Sequence, residues 1–230
     1  MTKKDKIYNK SEIKVVSAIC KVNFIEAENM LSNPVVLIAE GNAYEAGENK
    51  VMFMINYRVV DDFEELKNMS SKDFDSEWNQ ITGFFQMCFG EHEEGCYYHE
   101  NPLRADEFGE ELLDYWFDQL LCTIELLEKT DYVAFREIET VKRWLEFKRD
   151  GETVTINVVL NSSEKALLIT KPFHEFLYVE PENFACTWDE LKKNVIKQTG
   201  RFFNELRQLN PQLMESEKIS GLLKKYQKLL

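Results

Sequence analysis

The densest gathering of chemically competent side chains in this chain is the stretch Glu91-His92-Glu93-Glu94-Gly95-Cys96-Tyr97-Tyr98-His99-Glu100. It sets two of the three histidines beside a thiol and several carboxylates, all able to ligate a metal. His92, Cys96 and His99 are the ligands it would offer, although the spacing matches neither HExxH nor a paired-cysteine finger. The bland reading is a solvated acidic loop, and no metal or other cofactor is assigned. A second candidate is nucleophilic: Cys186 precedes a helix start and His174 lies one strand earlier, with Glu175 the carboxylate nearest to an apolar setting. No third group is evident to orient such a pair, and position 186 also suits an apolar staple. The chain carries no GxGxxG after a strand, no phosphate-binding GxxxxGK[ST] and no GxSxG. No catalytic residue is assigned.

The charge is more informative than any motif. Forty-one acidic residues (Asp+Glu 41) against 28 basic ones leave a formal net charge of -13. Such a surface repels nucleic acid and anionic lipid and favours a basic protein partner. The candidate partner-binding carboxylates are Glu110, Glu111, Asp114 and Asp118, on the outer face of a helix expected over residues 107–129, with Glu93 and Glu94 in the loop before it. No window is apolar enough for a membrane span, and no secretory leader is apparent at Met1. The five cysteines, Cys20, Cys88, Cys96, Cys122 and Cys186, lack paired spacing and read as reduced thiols of a cytoplasmic protein.

Four elements must position these groups. Arg143–Arg149 and Glu152–Leu160 flank Asp150-Gly151, a turn dipeptide that predicts a hairpin in which Phe147 faces Val154 and Leu145 faces Ile156, with the polar face toward solvent. Thr187 and Glu190 form a T-x-x-E capping box for a helix over 188–209, stopped by Asn210-Pro211. Phe74, Trp78, Ile81, Phe85 and Cys88 recur at helical spacing and predict a helix ending near Gly90. A last helix over 216–229 carries Lys218, Lys224, Lys225 and Lys228, the one basic patch of note. Upstream, VVLIA at 35–39 and the run 51–60 read as strands, with Phe53, Ile55 and Tyr57 on one face.

The order is strands, helices, strands, helices. It predicts an α+β fold of antiparallel sheets covered by helices, as two α+β halves, 1–130 and 131–230, packed as one or two domains. A faint echo between ITGFF at 81–85 and TGRFF at 199–203 raises two similar halves as one option, but it falls short of the sustained periodicity that marks a repeat.

RWLEFKRDGETVTI followed by TWDELKKNVIKQTGRFFNEL, within 143–209, resembles the C-terminal part of bacterial immunity-type proteins from polymorphic-toxin loci. That resemblance implies stoichiometric sequestration of a basic toxin, without catalysis. Two other readings stay open. One is a small-ligand binder or enzyme with a cleft near His174, Glu175 and Cys186; the other is a self-associating homodimer joined through a sheet edge or the last helix.

Overall fold

Two antiparallel sheets share one apolar core with the helices that cover them, the α+β architecture expected. The computed structural model describes residues 53–230 except 91, 105–106, 139, 141, 163 and 180–183. These belong to a compact unit running from Asn49 to Leu230, which takes in the described parts of both expected halves. The strand expected at 35–39 lies outside the described residues.

The first sheet holds β1 (Phe53–Val59), β2 (Thr82–Phe89), β3 (His92–Cys96) and the short β4 (Glu111–Leu112). β1 pairs along one side of β2, while β3 and β4 share the other side. Between β1 and β2 come α1 (Phe63–Asn68), capped by Asp62, and a helical turn Ser71–Asp73 that runs into a π-helical turn, Phe74–Trp78. That turn ends at Asn79, which takes a left-handed conformation (φ 53°). The helix expected from Phe74 to Cys88 therefore stops after its first turns, and its second half is the strand β2. In ITGFFQMCF the apolar residues are so dense that a helical period fits as well as an extended one; burial on both strand faces decides for the strand. Gly90, expected as a helix end, instead makes the β2–β3 turn with φ 64°.

The second sheet runs β10-β7-β6-β5-β8, with β9 beside β10 on the outer edge of β7. Its strands are β5 (Tyr132–Arg136), β6 (Arg143–Asp150), β7 (Thr153–Leu160), β8 (Leu168–Ile169), β9 (Leu177–Tyr178) and β10 (Phe184–Thr187). The hairpin forms, but Asp150 pairs with Thr153, so the loop is Gly151-Glu152 and Phe147 faces Ile156. Gly151 supplies the positive φ (58°). A shift of two residues preserves the side-chain faces, which is why the inward set survives: Leu145, Phe147, Val154 and Ile156 are all buried. The outer face is not solvated as expected. Trp144, Tyr132 and Val159 form a second cluster there with Phe176, under residues 164–179. Within it, Glu146 is 1% exposed and accepts hydrogen bonds from Tyr132 Oη (2.9 Å) and Asn157 Nδ2 (3.0 Å), and it pairs with Lys148 (2.8 Å).

Three helices close the core. α2 (Leu113–Leu127) packs against β2, β5 and the other two, α3 (Trp188–Leu209) and α4 (Glu217–Leu229). α3 starts at the expected capping box: Thr187 Oγ1 accepts from the Glu190 amide at 3.1 Å and Glu190 Oε2 from the Thr187 amide at 2.9 Å. Asn194 on α3 bonds both the Ile55 amide (3.0 Å) and the Phe53 carbonyl (3.2 Å), acting as a strand neighbour for β1. Gly200, inside α3, faces Tyr226 of α4. The sequence echo is not a structural repeat, because 81–85 lead into and lie in β2 whereas 199–203 are helical.

Candidate functional site

The acidic stretch does not form one loop. His92–Cys96 is the strand β3, and the described residues between it and β4, 97–104 and 107–110, form an irregular segment. Several independent fasteners hold that segment. Arg58 Nη1 donates to the His99 carbonyl (2.9 Å) and the Asn101 carbonyl (2.7 Å). The His99 imidazole bonds Glu107 at 2.5 Å, while Glu107 also accepts from the Arg104 amide at 2.7 Å; these contacts hold its carboxyl below the usual range, the Arg104 amide most strongly. At its end the Gly109 amide donates to the Val60 carbonyl (3.0 Å). Beneath it lies Phe84 of β2, with the rings of Tyr97, Tyr98 and His99 edge-on at 5.0–6.1 Å.

What the segment presents outward is aromatic and acidic. Phe108 is 73% exposed and Tyr98 49%. The Tyr98 hydroxyl donates to Glu110 (2.8 Å) and the Tyr97 hydroxyl to Glu100 (2.5 Å). Burial first, and then the Glu100 carboxylate, push the Tyr97 phenol up to about 12, so both phenols stay neutral donors. Tyr98, Glu100 and Glu110 are thus held in place before any partner arrives.

The other expected acidic positions divide sharply. Glu93 and Glu110 are exposed, but Asp114 and Glu94 are buried rather than on an outer face. Asp114 accepts from the Ile81 amide (2.7 Å) and pairs with Lys218 (2.7 Å); Asp118 pairs with Lys225 (2.5 Å). The basic helix α4 therefore lies against α2, and Lys218 and Lys225 of the basic patch are taken up by Asp114 and Asp118, while Lys224, Lys228 and Glu110 stay exposed. Glu111 accepts from the Trp116 indole (2.7 Å).

Glu94 belongs to a polar seam between the sheets. It bonds His92 (2.7 Å) and the guanidinium of Arg143 at the start of β6, which also reaches Glu137 through Nε (3.2 Å). Burial pushes the Glu137 carboxyl up to about 7; Arg143 opposes this, while Glu94 and Glu111 add to it. His92 also stacks on Phe184 of β10 at 4.3 Å.

The metal and nucleophile readings do not assemble. Among the described residues no three His, Cys, Asp or Glu side chains converge as metal ligands, and His92 and His99 are taken up by different carboxylates. Cys186 lies in the inner core, where burial, followed by Glu190, pushes its thiol up to about 12. His174 and Glu175 are exposed beside Phe173 and Phe176, on the opposite face of the same sheet. Among the described residues the three therefore do not meet.

No family model, curated protein or solved structure matches the chain. The site therefore rests on its geometry. The sequence singled out Glu110 and Glu93 but missed Tyr98, Phe108 and the fastening residues Arg58 and Glu107. The one available signal was the pair Tyr97-Tyr98, adjoining aromatics in a polar stretch. No helix among the described residues is long and apolar enough to cross a membrane.

Proposed function

We propose that this chain is a non-catalytic binding protein that captures a basic protein partner, in the manner of an immunity protein sequestering a toxin, through Tyr98, Phe108, Glu100 and Glu110. The observation that carries this reading is the fastened segment 97–110, which keeps a large apolar ring 73% exposed beside exposed carboxylates. An exposed phenylalanine gives nothing to the fold, whereas aromatic anchors ringed by polar groups dominate the energetics of protein interfaces. The net charge of -13 supplies long-range steering toward a basic surface. The likeness of 143–209 to immunity-type proteins points the same way.

The test pairs this chain with the product of the reading frame beside its gene. The expected result is that this neighbour is toxic when expressed alone and harmless when co-expressed with the chain. The double substitution F108S/E110K should weaken the purified complex by roughly 30-fold or more, the loss of an interface anchor worth about 2 kcal/mol. A harmless neighbour, or full protection and unchanged affinity in the double variant, would overturn the proposal.

A further inference from the structure

We infer that the Glu94–Arg143–Glu137 seam is a proton-dependent latch, holding β3 and the segment it feeds against the second sheet when Glu137 carries a proton, and loosening when that proton is lost. The geometry carries this. Among the described residues β3 pairs only with β2, so its other side is held by side chains. Arg143 serves two carboxylates from different sheets, Glu94 on β3 and Glu137 just after β5. Their side chains are 5% and 12% exposed.

The groups facing Glu137 come from every neighbouring element. β3 brings Glu94, with His92 upon it; β6 brings Arg143; β4 brings Glu111; α2 brings Tyr115, a neutral phenol that donates to the Arg136 carbonyl. Negative groups outnumber the guanidinium. With Glu137 protonated, Arg143 balances Glu94; with Glu137 ionised, a buried negative charge is left over, which a low-polarity setting resists.

The sign follows from linkage. A carboxyl whose folded value lies above its unfolded one favours the closed form at low pH, and that preference is lost as pH rises through the folded value. β3 leads directly into Tyr97 and Tyr98, so the latch would tune the proposed binding surface. That consequence rests on the reading of the surface, but the proton coupling does not.

The experiment is hydrogen–deuterium exchange of the intact protein alone, read at residues 92–99 against β7 and corrected for the intrinsic pH dependence of exchange. If opening exposes Glu137 to water, its frequency should rise about tenfold between about pH 6 and about pH 8.5. Glu137→Gln should abolish that rise. Equal protection of β3 at both pH values, or the same rise in the variant, would overturn the latch. Should the variant fail to fold, the carboxyl carbon resonance of Glu137 in labelled wild type decides: a midpoint near neutrality supports the latch, and one near the ordinary 4.5 refutes it. No partner is needed for any of these readouts, so failure of the binding proposal leaves the result interpretable.

Discussion

Asp114→Lys is expected to unfold the protein or to destabilise it by about 3–5 kcal/mol, the usual cost of breaking a buried ion pair from one side. Asp114 is 2% exposed in the first turn of α2, a helix whose N-terminal residue Leu112 offers no side-chain cap. Its carboxylate therefore satisfies the Ile81 amide, complements the positive end of the helix and neutralises Lys218. Lysine at this position would strand that amide, put a cation at the wrong end of the helix and set a buried ammonium group beside that of Lys218. Asp118→Lys should cost far less, on the order of 1 kcal/mol, because the Asp118–Lys225 pair is about one-third exposed and partly screened by water. Glu110→Lys, on an exposed side chain, should stay within about 0.5 kcal/mol. Urea titrations followed by circular dichroism would rank the three. An Asp114→Lys protein as stable as the Glu110→Lys one would mean that α4 does not cover this face of α2. The ranking also decides how binding experiments are read: a partner lost on substituting Asp114 reports unfolding, whereas one lost at Phe108 or Glu110 reports the surface.

The same residues show what could be seen in the sequence. Periodicity identified α2 as a helix and placed Asp114 and Asp118 one turn apart upon it, but began it at 107, whereas the helix starts at Leu113, with Glu110 before β4 and Glu111 within it. It identified α4 as basic, but it could not bring two elements about a hundred residues apart into contact. Charge read element by element made Asp114, Asp118, Lys218 and Lys225 look available, when they are one another's partners. Local chemistry was read well where it is self-contained. The capping box at Thr187 and Glu190 stands as expected, and the Gly151 turn erred only by a register shift that left the inward face unchanged. It failed where apolar residues were too dense for any period to be distinctive, as in β2, and where burial came from a distant segment, as over Trp144 and Glu146. Phe108 was invisible for the opposite reason, since only coordinates show that a phenylalanine is left outside the core.

A single methyl group provides the other severe test, because the segment 97–110 is seated by two glycines. Gly109 is buried between the exposed Phe108 and Glu110, and a Cβ built on it would lie 2.1 Å from the backbone nitrogen of Gly83 and 2.7 Å from the carbonyl oxygen of Val60. Gly83 is equally confined, its own Cβ falling 2.2 Å from the Arg58 carbonyl oxygen. All three obstacles are backbone atoms of the first sheet or its margin and cannot rotate aside. Gly109→Ala must therefore lift the end of the segment off the sheet, breaking the bond to Val60 and pulling Glu107 and Glu110 away from His99 and Tyr98. Overpacking of this kind costs about 1–3 kcal/mol and sometimes more. Gly221→Ala is the matched control: nothing lies within 4 Å of its Cβ, and the same substitution inside α4 should stabilise by up to about 1 kcal/mol. In Gly109→Ala the amides of 97–110 should lose exchange protection while the hairpin of β6 and β7 keeps its own. If the unseated segment is the binding surface, affinity for the partner should fall even at temperatures where the variant remains folded. Protection of the segment unchanged from wild type would show instead that its position does not depend on this close approach of two backbones.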